Sequence, residues 1–217
     1  MTQHIIGICG RKGSGKDTIG DMICKIDPTF EKIAFADVVK DIVASLFGWD
    51  REMLQGNTVE GRKWREEIDE FWAKELDMPD FSPRKAMQLI GTDIMRNNLH
   101  KNIWIISVKR KIMNKPDKNF VITDVRFPNE ILAIKNLNGK IIRVERGERP
   151  DWWNIASNYN KFGKEGVTEK EIEELNKIHP SERDWIDIDE PNVIFHNDST
   201  IEDLESKVTE WMDWQKL

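Results

Sequence analysis

The sequence predicts an α/β protein with a mostly parallel sheet covered by helices on both faces, and three observations carry this. Short apolar or β-branched runs alternate with helical periodicities along the chain. The first run, from His4 to Cys9, ends in a glycine-rich turn that opens directly into a helix pattern. The length of 217 residues suffices for one such core with insertions.

Each element follows in order. His4 to Cys9 reads as a strand, and Lys16 to Lys25 as a helix with Ile19, Met22 and Ile23 on its inner face. A second β-like run covers Lys32 to Ala36. Asp37 then caps a helix in which Val39, Ile42, Val43 and Leu46 recur at helical spacing. From Gly48 to Asp80 the chain turns charged and tryptophan-rich without a strand signal, so a helical insertion is expected, with a helix over Glu60 to Leu76. Ser82-Pro83-Arg84, a cap residue followed by proline at the first helical position, starts a helix running to about Leu99. Another helix fits Ile103 to Met113. Phe120 to Thr123 makes a strand ending at Asp124, and Pro128-Asn129-Glu130 opens a helix through Leu137. Lys140 to Val144 is the next strand. The stretch between Arg146 and Pro191 is too long for an ordinary connection and has weak periodicity, which predicts a lid or inserted loop. Asn192 to His196 and Thr200 to Trp214 supply the last strand and the closing helix.

Composition removes several classes of function. A formal charge of -6 argues against a broad phosphate-neutralising surface, so no stable nucleic-acid partner is expected. No apolar run approaches the roughly 20 residues that cross a bilayer, and no signal-peptide pattern opens the chain. A cytoplasmic protein without a membrane partner is expected. The two cysteines, Cys9 and Cys24, read as small core residues rather than a disulfide. The four histidines show no metal-ligand spacing.

The chemistry begins at Gly10-Arg11-Lys12-Gly13-Ser14-Gly15-Lys16-Asp17-Thr18, which matches the Walker A spacing between strand and helix. Such a P-loop turns successive backbone N–H groups into one concavity, adds the positive end of a helix, and sends a lysine to the β- and γ-phosphates. Gly13, Ser14, Gly15, Lys16, Asp17 and Thr18 are therefore expected to bind ATP. Asp17 stands where a hydroxyl usually follows the lysine, which leaves Asp17 and Thr18 both as magnesium candidates. Asp124, at the end of a buried strand, resembles a Walker B carboxylate and joins them. Arg126, two residues on, projects to the same side of an extended segment and suits a phosphate or ribose. Glu130 falls in the first turn of the next helix, where the helix dipole alone could account for it.

On the helix opened at Ser82, Arg84, Gln88, Gly91 and Thr92 fall on one α-helical face. Arg84 suits a phosphate, Gln88 offers donor and acceptor to a base edge, and Gly91 removes a side chain where a ligand could approach. A solvated polar face is the plain alternative. Asp37 and Lys40 follow the second strand, where Lys40 could meet an acceptor phosphate and capping could equally explain both. Arg143, Arg146 and Arg149 stand where lid arginines would close on transferring phosphates, or where a solvated basic turn would lie.

With these residues in place the chain resembles the bacteriophage deoxynucleoside monophosphate kinases of the P-loop nucleotide-kinase superfamily. The resemblance rests on Gly10 through Thr18, Phe35-Ala36-Asp37 with Lys40, Ser82-Pro83-Arg84 through Gln88-Leu89-Ile90-Gly91-Thr92-Asp93, and Trp104. It continues in Thr123-Asp124-Val125-Arg126 with Glu130, the strand from Lys140, His179-Pro180-Ser181-Glu182, and Asn197-Asp198. It implies a three-layer nucleoside monophosphate kinase-like fold of one domain: core 1–47, 100–146 and 190–217, helical acceptor-binding insertion 48–99, lid-like insertion 147–189. It implies that Arg84, Gln88, Gly91, Thr92, Trp104, Asp124, Arg126 and Glu130 surround the acceptor nucleotide, with Lys12, Asp37, Lys40 and Arg65 as further acceptor-side candidates, alongside Arg62. A homodimer is compatible with it.

The expected reaction is in-line transfer of the ATP γ-phosphoryl group to a deoxynucleoside monophosphate, with Mg²⁺ as cofactor. Lys16, Arg84 and Arg126 are the expected charge-stabilising residues. Two rivals stand beside it: a kinase of another phosphorylated metabolite, of the phosphomevalonate or dephospho-coenzyme A type, and a nucleotide-switch ATPase. Gln88 favours a nucleotide acceptor over the first, and the acidic balance counts against the second.

Overall fold

A computed structural model describes residues 3–188 and 190–215. The chain divides into two compact units: Phe35–Arg110 form one, and the segments on either side, Met1–Ala34 and Lys111–Leu217, form the other.

The flanking segments build a five-stranded sheet from β1 (Ile5–Gly10), β2 (Phe30–Ile33), β3 (Asn119–Val125), β4 (Lys140–Glu145) and β5 (Val193–His196). Its order is β2-β3-β1-β4-β5, and every neighbouring pair is parallel. All six residues of β1 are buried, as a central strand covered on both faces requires. Ile6 and Ile8 pack with Ile19 and Ile23 of α1 (Lys16–Ile26) and with Leu204 and Val208 of α12 (Ile201–Gln215). On the opposite face Gly7 lies under Ile134 of α8 (Pro128–Lys135). Two helical layers thus sandwich one parallel sheet. Because β1 sits between β3 and β4, the loops leaving β1 and β3 emerge at the carboxyl edge, where ligands of open α/β sheets bind.

β2 starts and ends earlier than the sequence suggests. Phe30 and Ile33 are its buried positions, paired with Asn119 and Ile122, whereas the apolar Ala34 to Ala36 run on into α2 (Asp37–Phe47). The segment expected as a long lid or loop is helical: α9 (Trp153–Phe162), a 3₁₀ turn (Gly163–Gly166), α10 (Glu169–Asn176) and α11 (Pro180–Arg183). It is tied to the sheet by Arg143 of β4, which is buried and ion-paired with Asp187 at 2.6 Å and Glu145 at 3.0 Å. Arg149 pairs with Glu145 at 2.9 Å and lies over the Trp153 ring. Arg143 and Arg149 are therefore structural ties, which replaces their reading as phosphate-closing arginines. Cys9 is buried deeply enough that burial pushes its thiol up to about 12, so it is an inert core residue.

The middle unit holds α2, α3 (Arg51–Gln55), α4 (Val59–Trp64), α5 (Glu70–Glu75), α6 (Pro83–Gln88), a π-helical run (Leu89–Leu99) and the start of α7 (Ile103–Met113). The helix expected across Glu60 to Leu76 is two helices, because Asp69 accepts an N–H bond from Trp72 and starts a second one. Its core joins Val43, Leu54 and Phe81 to Phe47, Trp49, Trp64 and Trp72. Trp49 Nε1 donates to Asp69 and Trp72 Nε1 to the Phe47 carbonyl, so the clustered tryptophans serve packing with their polar ends satisfied.

Candidate active site

The loop after β1 takes the shape its glycines allow. Gly13 and Gly15 have φ of 79° and 103°, in the left-handed region that favours glycine. A side chain at Gly15 would also meet Asn197, 2.5 Å from its amide nitrogen. Asn197, the residue after β5, donates from Nδ2 to the Ser14 carbonyl at 2.9 Å and so anchors the loop. The Ser14 hydroxyl is buried without a hydrogen-bond partner among the described residues.

Lys16, the first residue of α1, is 6% exposed. Its ammonium donates to the Gly10 and Arg11 carbonyls at 2.9 and 2.8 Å, and among the described residues to no carboxylate. Burial, and after it the nearby Arg126 charge, lower its pKa to about 8, against opposing pulls from Glu182 and Asp17. The loop thus holds a desolvated cation that lacks a counter-ion in contact among the described residues. Asp17 is hydrogen-bonded by the Thr123 hydroxyl at 2.7 Å, which joins the start of α1 to β3 one residue before Asp124. Thr18 and Asp124 are half-buried.

Arg126 follows β3 and donates to Glu182 Oε1 at 2.7 Å and to the Ser181 carbonyl at 3.3 Å. The other Glu182 oxygen accepts from the Lys12 backbone N–H at 3.1 Å, while the Lys12 residue is exposed. Glu130 is buried and accepts from the Arg126 and Phe127 backbone N–H groups at 2.8 and 3.1 Å. Its carboxylate thereby shapes the turn that carries Arg126. This unit thus gathers Lys12 to Thr18, Asp124, Arg126 and Glu130 around one sheet edge.

The acceptor-side candidates of the middle unit fall in three groups. Lys40 is buried, 3.6 Å from Asp37, and donates to Gln55 at 2.9 Å; Arg51 donates to the same Gln55 oxygen. Arg65 lies beside Arg84, whose backbone N–H donates to the Arg65 carbonyl at 2.9 Å. Burial, and after it the Arg84 charge, lower the Arg65 pKa, with Arg62 adding to it against Glu66. Gly91 and Trp104 form the third group: Trp104 is buried and its indole N–H donates to the Gly91 carbonyl at 2.9 Å.

The helix carrying Arg84 and Gln88 changes from α to π at Leu89. Spacing beyond Gln88 therefore no longer follows the α-helical face on which the four residues were expected together. Arg84, Gln88 and Thr92 are exposed, while Gly91 is buried. A Cβ at Gly91 would stand 3.3 Å from Val39, so its missing side chain serves close packing against α2. Four residues with evident work here were not singled out for a role from sequence: Glu182, Asn197, Arg51 and Gln55. Glu182 and Asn197 lie within recognisable tetrapeptide and dipeptide motifs, but their contacts span 170 and 183 residues and no local pattern announces them.

Magnesium is the cofactor that such a loop implies. Asp17, Thr18 and Asp124 offer the hard oxygen donors it takes. Among the described residues no three His, Cys, Asp or Glu side chains form a metal cage. A magnesium ion held through one or two carboxylates plus substrate phosphates needs none.

A deoxynucleotide monophosphate kinase family model matches residues 55–155. A protein of Acanthamoeba polyphaga mimivirus, provisionally assigned as a deoxynucleotide monophosphate kinase, is 30% identical over 220 residues, covering 96% of each chain. The chain belongs to the deoxynucleotide monophosphate kinase family. A second family relative, the deoxynucleoside-5'-monophosphate kinase of Escherichia phage T5, is 28% identical over 189 residues, covering 62% of this chain and 72% of its own. The dephospho-CoA kinase of Campylobacter jejuni covers 98% of this chain at 17% identity, with a TM-score of only 0.47, too slight a likeness to weigh. The family's α/β kinase fold is carried instead by the sheet order and by the glycine loop after the central strand.

Proposed function

We propose that this chain transfers the γ-phosphoryl group of ATP to the 5′-phosphate of a deoxynucleoside monophosphate, giving ADP and a deoxynucleoside diphosphate. Family membership supplies the acceptor class. The observation that carries the site is Lys16, a buried ammonium whose contacts are backbone carbonyls. An uncompensated buried charge is costly, and a polyphosphate supplies the missing anion.

The acceptor needs no general base, because a phosphate monoester with its second pKa near ~6 is largely dianionic at neutral pH. Catalysis reduces to positioning and charge stabilisation. In this reading the P-loop amides and Lys16 hold the ATP phosphates, and Arg126 neutralises charge on the transferring group. Arg84, with Arg65, receives the acceptor phosphate, and Gln88 meets the base edge. Asp17, Thr18 and Asp124 would hold magnesium, which supplies charge neutralisation of the β- and γ-phosphates. Gly91 and Trp104 act from the interior by fixing the helix that presents Arg84 and Gln88. No helix among the described residues is long and apolar enough to cross a membrane. The viral and phage relatives fit work on nucleotide pools in a host cytoplasm.

A coupled assay of ADP formation with each of the four deoxynucleoside monophosphates and their ribose counterparts tests the proposal. Turnover should depend on at least one deoxynucleotide. ATP hydrolysis indifferent to all of them would remove this function.

A further inference from the structure

The Glu182 carboxylate sits where an anionic ligand of the loop would be expected. One oxygen takes the Arg126 guanidinium at 2.7 Å, and the other takes the Lys12 backbone N–H at 3.1 Å. Lys12 lies inside the glycine loop, whose amides are the expected phosphate donors. Arg126 is the expected charge stabiliser of the transfer. A single carboxylate therefore engages one donor of each kind, as a phosphate oxygen pair would. Its carrier, α11, is itself fixed: Asn160 of α9 donates to the Arg183 carbonyl at 2.9 Å, and Arg183 Nε donates to the Ile178 carbonyl at 3.1 Å. Movement of the carboxylate is then a matter of side-chain rotation, with both Glu182 and Arg126 about a quarter exposed, at 28% and 25%.

We propose that Glu182 is a positioning residue that stands in for nucleotide phosphate: it keeps Arg126 and the Lys12 amide aligned in the free protein, and a nucleotide phosphate displaces it from the loop. The inference rests on the reading of this loop as the ATP site. Its consequence is a standing competition, in which Glu182 lowers the apparent affinity for nucleotide by the fraction of molecules whose loop it occupies. Removing a contact that only supported the fold would weaken nucleotide binding. Removing a competitor strengthens it.

The test is the dissociation constant of ADP, measured by titration calorimetry in magnesium buffer, for the wild-type chain and for Glu182→Gln, Glu182→Asp and Glu148→Gln. Glu182→Gln removes the charge at constant shape. Glu182→Asp keeps the charge but withdraws it from the Lys12 amide. Glu148→Gln removes a charge from an exposed neighbour of the loop whose backbone carbonyl, not its side chain, meets Arg11. Expected is a dissociation constant about three- to tenfold lower for Glu182→Gln, a smaller fall for Glu182→Asp, and none for Glu148→Gln. Unchanged or weaker binding in both Glu182 variants overturns the inference, as does an equal gain in Glu148→Gln. If Glu182→Gln melts at the working temperature, Glu182→Asp decides. Absence of ADP binding by the wild-type chain would overturn the ATP-site reading and this inference together, whereas binding without a shift overturns this one alone.

Discussion

The cations around the β1 loop and the arginines of the middle unit are held in opposite ways. Beside the loop, Arg126 is paired with Glu182, Arg143 with Asp187 and Glu145, and Arg149 with Glu145. Lys16 and the exposed end of Arg11 rest on carbonyls instead, and of the two Lys16 is the buried one. In the middle unit, burial and then the Arg84 charge lower the Arg65 pKa, with Arg62 adding to it, and Glu66 lies 3.4 Å from Arg84. A cation with its own carboxylate is preset or structural. A cation resting on carbonyls is stabilised when a ligand brings the charge, and by that criterion Lys16, and in the middle unit Arg65 on the Leu54 carbonyl, are where phosphates belong, with Arg84 held beside it by Glu66.

The largest effect should come from Lys16. Lys16→Met is expected to lower kcat by about a thousandfold or more, the scale of losing a main electrostatic contact to the transition state. It should also raise the melting temperature of the ligand-free protein near pH 7, because it removes a desolvated charge. Near-normal turnover would end the comparison at once. Next come Arg84→Ala and Arg65→Ala, each expected to raise KM for the deoxynucleotide by about ten- to a hundredfold, the value of a charge-assisted hydrogen bond, with KM for ATP little changed. If KM for ATP rises instead, the arginine group does not serve the acceptor.

The two regions also differed in how far they could be read from sequence. The place and shape of the loop were legible, because they follow from glycine φ angles, one lysine and a strand-to-helix context, all within Gly10 to Thr18, whereas its anchors Asn197 and Glu182 were not. All five strands were legible too, with β2 displaced so that Phe30 and Ile33 are its buried positions and Ala34 to Ala36 lie beyond it. The helix from Ser82 was legible at its start, where Ser82 accepts from the Lys85 N–H and Pro83 occupies the first position. Its change to π at Leu89 was not, and the contacts Gly91 makes there with Val39 and Trp104 are tertiary ones that helical spacing does not announce. Glu182 was hidden for the same reason: its partners are distant in sequence and its motif carries no spacing rule.

Gly91→Ala sharpens that distinction at smaller scale. The added methyl would press on Val39 at 3.3 Å, a contact its neighbour must yield to. A loss of about 1 kcal/mol in unfolding free energy, read from the urea midpoint, is expected. If Gly91 instead opens room for a ligand, stability should hold while KM for the deoxynucleotide rises.

The last effect is one of pH, and it runs in two directions from one group. Lys16 titrates near 8 in the free protein, below its ordinary 10.5. Nucleotide binding needs the protonated form, so the dissociation constant of ADP should rise about fourfold between pH 7 and 8.5, by the proportion of enzyme deprotonated. Folding stability responds with the opposite sign. Below about 8 the folded chain carries the full cost of the buried charge, and as pH climbs from there towards 10.5 the folded state has released a proton that the unfolded state still holds. Stability of the wild-type chain should therefore gain on Lys16→Met across that window, a difference visible in paired melts at pH 7.5 and 9.5. Parallel pH slopes in the two proteins would mean that the Lys16 charge is already compensated without a ligand, and the distinction between paired and waiting cations would fail at its clearest member.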